Sequence, residues 1–524
     1  MIRAGTGYGP GPMSDFPILG AVYDGQATTF RVWAPARAVA VMVEDETHEL
    51  QTTTGGVHEL TLAVPPGTDY DFVLDGGERL PDPWSRWQPD GLHGPSRVLR
   101  LDPPTAGPSL ELEQLVIYEL HVGTFTEPGT FDAAVEHFEA LRDLGITAVE
   151  VMPIATFPGE HGWGYDGVYS YAPHPAYGGP QPFKRLVDAA HDLGLAVILD
   201  VVYNHVGAGS DAITAFAPYL TDRHETFWGD AIDYTRRGVR EWAIQNAEMW
   251  VRDYGVDGLR LDAVHSIFDE SETHVLTELA ERVKAIRPQV WLIDEMEIGD
   301  LRPIEEWGHD AQWGDGLHHA VHVLLTGEQE GYYAGYGRVA DLARELQDLH
   351  IPRFVVCAQN HDQVGNRPLG DRLRGADLRL AAFCSLLSPG IPMLFQGEEY
   401  DESHPFQYFT DHTDLKIARL TREGRRREFA DFSGFDAPDV PDPQDPETFR
   451  RSKLDRSAAD PEHLEYYREL IALRRELGQA PIERLEVDEP RRLLSFHRGG
   501  VDVIANFGDS EQEGVPARSG VVRR

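Results

Sequence analysis

From Leu115 onward the chain repeats one pattern: a short apolar run rich in β-branched residues, then a stretch of helical period, then another run. That alternation confines a chain to a parallel sheet wrapped by helices, because parallel neighbours need a long crossover that a helix fills. The runs read LVIYELHV, AVEVMP, AVILDVV, GLRLDAV, VWLIDE, a weak one near DAQWGD, RFVVCAQN and MLFQGEE. Eight of them predict a (β/α)8 TIM barrel. Between the runs, Ala134, Phe138, Leu141 and Leu144 share one helical face, and Ala243, Ala247, Trp250 and Tyr254 another. The stretch from Val206 to Gly238 reads as a loop too short for a substantial inserted domain.

The flanks have a different texture. From Phe16 to Leu101, short alternating strands such as Thr29 to Trp33 and Val39 to Val43 are broken by Gly and Pro turns, the pattern of a small β-sandwich. The segments PDPWSRWQPDGLHGPS and DPPTAGP mark a boundary after it. Beyond Leu485, RRLLSFHR and VDVIANF predict a brief C-terminal sheet with a frayed end. The expected organisation is multidomain α/β: a flexible tail over 1–14, an N-terminal β-sandwich over 15–105, the barrel over 106–478 and a short C-terminal β-domain over 479–524.

Charge excludes some partners. The 524 residues carry 47 Lys+Arg against 87 Asp+Glu, a net charge of −40, which disfavours nucleic acid and anionic membranes as partners. Two cysteines, Cys357 and Cys384, argue against a disulfide framework. With no apolar run long enough for a membrane helix and no signal-peptide pattern, the expectation is a cytoplasmic protein of undefined oligomeric state.

In a barrel of this kind the active site lies at the C-terminal ends of the strands. There the apolar runs close on acids: Asp200 on the third, Asp262 on the fourth, Glu295 on the fifth and Asp362 just after the seventh, accompanied by Arg260, His205 and His361. One such acid is more often a helix cap or half of an ion pair. Four at four strand ends read as a cluster. Arg260 and Asp262 share a parity, so the guanidinium can hold the carboxylate ionised, while a second carboxyl in a more apolar setting keeps its proton. Asp262 and Glu295 fit that division, the machinery of a retaining glycosidase. Trp291, Ile293 and Glu295 continue one inward parity, and Asp294 points towards the helices.

These residues resemble a family. DVVYNH (200–205), GLRLDAVH (258–265), the strand ending at Glu295 and QNHD (359–362) are similar to the four signature regions of the alpha-amylase superfamily, in the same order. The resemblance implies that Asp262 is the nucleophile, Glu295 the acid/base and Asp362 the residue that grips the sugar hydroxyls. It implies that Tyr165 stacks under the sugar being cleaved, with Asp200, His205, Arg260, His265 and His361 as polar lining. PDPWSRWQPDGLHGPSRV, WGYDGVYSYAPHPAYGGP, QWGDGLHHAVHVLLTGEQEGYY and NHDQVGNRPLGDR lie largely outside generic amylase chemistry. They narrow the resemblance to the branch that releases trehalose from maltooligosyltrehalose, with other α-glucans as further substrates, no cofactor and no metal. The rivals are a glycogen branching or debranching enzyme and, in another class, a silent glycan-binding protein. Asp294 stands where the family usually has a small apolar residue, and an added carboxylate there could disturb Glu295.

Other features have blander readings. His318 and His322 could share a helix face as metal ligands, but no HExxH or CxxC accompanies them; His318 or His319 could instead bind sugar hydroxyls. Asn204 matches a position that helps bind calcium in many amylases, although the short loop after it lacks the rest of such a site. For each of Trp163, Trp228, Trp313, Tyr332, Tyr333 and Phe406 taken alone, core burial is the default reading; Trp228 is the first choice to wall the acceptor side, and the loops carrying Trp228, His318 and Tyr332 are the candidates for reading the trehalose end.

Overall fold

The computed structural model describes residues 16–226, 228–349, 353–429 and 440–524; the expected tail over 1–14 lies outside them. Eight parallel strands close a barrel: Ile117–Leu120, Ala148–Val151, Ala196–Val201, Gly258–Leu261, Trp291–Asp294, Ala311–Trp313, Phe354–Cys357 and Ile391–Phe395. Closure is made where Ile117 pairs with Met393 and Glu119 with Phe395. The weak sixth strand is real but only three residues long.

Alternate residues point inward, as strand geometry requires. Ile117, Ala148, Ile198, Ile293, Trp313 and Met393 belong to a buried cluster that fills the barrel's lower interior. The opposite faces join the larger core under the surrounding helices, where Val149, Val197, Leu259 and Leu292 are buried. The reading of Val206 to Gly238 as a plain loop needs amending, since it holds a short helix, Asp211–Thr214, and a hairpin of Leu220–Thr226 with Gly229–Ile232.

Ahead of the barrel stand two antiparallel sheets. One orders Gly20–Tyr23, Thr28–Trp33, Val57–Leu62 and Gln51–Thr52; the other is built on Val39–Val43 and Asp69–Leu74. This unit rests against loops of the barrel mouth. Trp33 and Trp84 meet Tyr219 at ring separations of 5.8 and 6.1 Å, and a Cβ at Gly238 would lie 2.1 Å from the Trp33 ring, so only glycine fits there.

The C-terminal sheet has four strands, Arg484–Asp488, Leu493–Arg498, Val501–Asn506 and Ser519–Arg523. The expectation of a frayed end is corrected: the last strand pairs in full register with Val501–Asn506. Arg498 fastens this sheet to the barrel by donating to the Leu387 carbonyl (2.8 Å), a free C-terminal acceptor of the helix Gly375–Leu387. Among the described residues, no helix is long and apolar enough to cross a membrane.

Candidate active site

Inward parity brings the charged groups to the barrel mouth one step above the apolar layer. Arg260, fully buried, anchors them: Nη1 donates to Asp200 Oδ2 (2.8 Å) and Asp262 Oδ1 (2.9 Å), and Nη2 donates to Glu295 Oε2 (2.7 Å). One guanidinium thus organises three of the four expected acids, and its Cζ lies 4.0 Å from the Trp313 ring centroid. The expectation that Glu295 sits in the more apolar setting is corrected, because its carboxylate shares Arg260 with Asp262.

The backbone helps. Ala263, directly after Asp262, adopts the left-handed region at φ 41°, costly for a residue with a Cβ. This turn aims the Ala263 N–H at Glu295 Oε2 (3.0 Å). Asp294 leaves by the other face, where His309 Nδ1 donates to its Oδ2 at 2.5 Å and both side chains are fully buried. The carboxylate that could have disturbed Glu295 is therefore held by His309 behind the strand.

A second network surrounds Tyr165. Its hydroxyl donates to Asp200 Oδ2 (2.6 Å) and accepts from His361 Nε2 (2.8 Å), and its ring stacks on that imidazole at 5.1 Å. His361 Nδ1 donates to Glu119 Oε1 (2.6 Å), and Asp362 Oδ2 lies 3.3 Å from Nε2. Burial opposes a charged His361, but Asp362 and Glu119 outweigh it and lift its pKa to about 10. The Asp200 pKa is raised as well, but here burial is the cause, lifting it to about 7 against the pull of Arg260.

His205 donates from Nε2 to the Tyr165 carbonyl (2.9 Å), and burial lowers its pKa to about 4, leaving it neutral. Trp228, 45% exposed at the hairpin tip, stacks on it at 4.2 Å and 3°. His265 is exposed on the turn after the fourth strand.

Two sequence readings change. Asn204 faces Asp262, its Nδ2 donating to the Asp262 carbonyl (2.8 Å) and to Oδ2 (2.7 Å), so its amide is committed to this carboxylate. His318 is corrected as a sugar-binding residue: it is 2% exposed, donates from Nδ1 to the Ala358 carbonyl (2.7 Å) and accepts at Nε2 from the Tyr333 hydroxyl (3.1 Å). It therefore supports the loop whose Tyr332, 50% exposed, stacks on His319. His322 bonds Glu328 (2.9 Å). Trp163 and Phe406 stack on each other in the core at 5.2 Å.

Sequence reasoning missed three acids. Glu119 and Glu150 pair in register on the first two strands, and their run of apolar neighbours hid them. Asp315 opens the helix Asp315–Thr326 directly after the three-residue sixth strand, Ala311–Trp313.

The family model described as alpha amylase, catalytic domain, matches residues 114–228 and 219–480. A malto-oligosyltrehalose trehalohydrolase of Saccharolobus solfataricus is 40% identical, covering 94% of this chain and 93% of that protein. One of Deinococcus radiodurans is 44% identical, covering 86% and 82%. A crystal structure titled as a putative alpha amylase from Salmonella typhimurium superposes with a TM-score of 0.87 at 36% identity, over 96% of this chain and 99% of that one. A pullulanase from Anoxybacillus, solved with maltotetraose, shares the fold at a TM-score of 0.73 and 18% identity, over 95% and 82%. With identities of this order sustained over most of both chains, and the alpha-amylase model matching the whole barrel, this chain belongs to the alpha-amylase family and, within it, to the malto-oligosyltrehalose trehalohydrolases.

Proposed function

We infer that the chain hydrolyses, with retention, the α-1,4-glucosidic bond next to the terminal trehalose of maltooligosyltrehalose, giving trehalose and a maltooligosaccharide. The observation that carries the chemistry is the single guanidinium of Arg260 holding both Asp262 and Glu295. Two carboxyls drawn to one cation stand close together, which supports direct attack over the wider, water-spaced pair of an inverting enzyme.

In this reading Asp262, fixed by Arg260 and Asn204, attacks the anomeric carbon. Glu295 protonates the departing oxygen, then takes a proton from the water that releases the sugar. Asp362 and His361 hold hydroxyls of the reacting glucose while Tyr165 lies beneath its ring. Trp228, His265 and Tyr332 offer exposed surfaces at the rim for the flanking glucose units. We take the N-terminal sheets (15–105), barrel (106–478) and C-terminal sheet (479–524) as three domains, the compartment as cytoplasmic, and nucleic acid and membranes as non-partners.

The test is incubation with maltotriosyltrehalose, maltopentaose and amylopectin, followed by product chromatography and NMR of the newly formed anomer. Trehalose as the first disaccharide, with an α-configured maltotriose, is the expected result. Equal rates on maltopentaose would leave a general α-glucan hydrolase, and new α-1,6 branches would favour the branching rival.

A further inference from the structure

The three acids of the proposed mechanism are held by different groups. Asp262 has Arg260 and the Asn204 amide, and Glu295 has Arg260 and the Ala263 N–H. Among the described residues, Asp362 has no bond to Arg260. Its Oδ2 lies 3.3 Å from His361 Nε2, a nitrogen whose hydrogen bond goes to the Tyr165 hydroxyl at 2.8 Å. Among the described residues, the one hydrogen bond that reaches its carboxylate comes from Asn366, Nδ2 donating to Oδ1 at 2.9 Å. The proposed mechanism gives Asn366 no part.

Asp362 and Asn366 stand four residues apart on the short helical turn His361–Gly365 and its C-terminal cap, a spacing at which side chains face each other. The turn is pinned on every side. Asn360 Oδ1 accepts from the Gln363 N–H (2.8 Å), the Asn366 N–H closes on the Asp362 carbonyl (2.9 Å), and the Gly365 carbonyl accepts from Arg425 Nη2 (2.6 Å). A Cβ at Gly365 would lie 2.1 Å from the Trp163 ring, so the turn is seated directly on the aromatic core. Just beyond Asn366, Arg367 donates to Asp371 (3.0 Å) and to Glu328 (2.5 Å), the latter on the loop that carries Tyr332. With the backbone fixed, what stays free is the carboxylate of Asp362, whose side chain is 32% exposed and whose last torsion is broad and two-fold. A carboxylate only accepts hydrogen bonds, so the amide presents its nitrogen and leaves Oδ1 further lone-pair capacity for a substrate hydroxyl.

We propose that Asn366 is a positioning residue for Asp362, its amide setting the plane in which that carboxylate meets the hydroxyls of the reacting glucose. This rests on the reading of Asp362 as the acid that grips those hydroxyls. Asn366 makes and breaks no bond of the substrate. Its contribution is to set the torsion before the sugar arrives, so that the orientation is not chosen at the moment of reaction. Hydrogen bonds to ring hydroxyls strengthen as a glycoside approaches its transition state, so a misaligned Asp362 shows in kcat more than in KM.

The test is a kinetic cycle on α-maltotriosyl fluoride, an activated substrate that keeps weak variants measurable, with maltotriosyltrehalose run beside it. The proteins are the parent, Asn366→Ala, Asn366→Asp, Asp362→Ala and the double variant of Asp362→Ala with Asn366→Ala. Losing one hydrogen bond to a charged group should lower kcat about 10-fold to 100-fold in Asn366→Ala, with KM within about 3-fold. Asn366→Asp keeps the shape but replaces the donor by an acceptor, so it should lose at least as much. In the Asp362→Ala background, Asn366→Ala should cost less than about 2-fold, because nothing is left to position. Asn366→Ser must repeat both results if Asn366→Ala fails to fold. Parent-like activity in Asn366→Asp overturns the proposal, as does an equal loss with and without Asp362, which a merely structural residue would give. Asp362→Ala within about 3-fold of the parent in kcat would overturn the role of Asp362 and the proposal with it. A parent that hydrolyses the fluoride but releases no trehalose from maltotriosyltrehalose would instead overturn the functional reading, while the cycle on the fluoride still decides the role of Asn366.

Discussion

The lower and upper tiers of the barrel come from the same strands and the same parity, two residues apart, yet they are opposites. Ala196 and Ile198 lead to Asp200, and Trp291 and Ile293 to Glu295. Below, the interior is apolar and closed. Above, acids crowd around Arg260 and His361, and some oxygens, both of Glu150 and Oδ1 of Asp200, have no protein partner. A buried polar group without a partner costs free energy that the apolar tier does not incur. The contrast teaches a division of labour: the lower tier supplies stability, and the upper tier spends some of it to hold charge where a glycosidic bond is to be broken.

The strongest way to break that division is at Asp262. Asp262→Ala should lower kcat by roughly 10⁴-fold or more. Its melting temperature should fall by no more than about 2 °C, because Arg260 keeps Asp200 and Glu295 as partners. A large loss of stability would show that the upper tier is structural after all. Steady-state kinetics beside calorimetry gives both numbers.

The reciprocal experiment is Ile293→Ala, two residues before Glu295 in the closed tier. Deleting this buried side chain should cost about 2–5 kcal/mol in chemical denaturation and leave kcat/KM within about 3-fold at a temperature where the protein remains folded. A far larger kinetic loss would mean that the lower tier sets the position of Glu295 and that the two tiers are not separable.

Between these extremes lies Asn204, whose amide serves the Asp262 carboxylate from outside the barrel's inward stripe. Asn204→Ala removes one hydrogen bond to a charged group, so kcat should fall about 10-fold to 100-fold with KM little changed. Added calcium should not restore it. Restoration by calcium would return Asn204 to the metal-binding role its position in the sequence motif suggests.

How legible the tiers are in the sequence differs in an instructive way. The apolar runs and the acids closing the third, fourth and fifth are visible because each run is long enough to show its parity. Asp315 is hidden because Ala311–Trp313 is too short to display a strand, and a Gly-Asp pair after it reads as a turn. Asn204 and His318 fail for another reason: spacing gives the face of an element but not what lies opposite. The i, i+4 imidazoles of His318 and His322 do share a face and stack at 5.3 Å, but that face meets Tyr333. The final strand, Ser519–Arg523, gains its order from pairing with Val501–Asn506, which no local signal announces.

The smallest expected effect falls on the border between the tiers. Glu150 continues the inward parity of Ala148 and pairs in register with Glu119, but it is sealed from the cleft and its two oxygens have no protein partner. Burial, and then Glu119, push its pKa well above the ordinary carboxylate range. The folded protein therefore keeps a proton that the unfolded chain releases above about pH 4.3. Because the folded state binds more protons, stability declines as pH rises from that ordinary value through the raised one. Glutamine has no proton to lose, so Glu150→Gln should flatten the dependence of melting temperature on pH. Near pH 4 the two proteins should melt together, and at pH 8 the variant should melt about 2–4 °C higher, with kcat/KM within about 3-fold of the parent. Parallel melting curves across that range would mean that Glu150 is ionised in the folded state and belongs electrostatically with the acids of the mouth. Diverging curves with unchanged kinetics would place the border between stability and catalysis above Glu150, although its side chain carries the chemistry of the tier it touches.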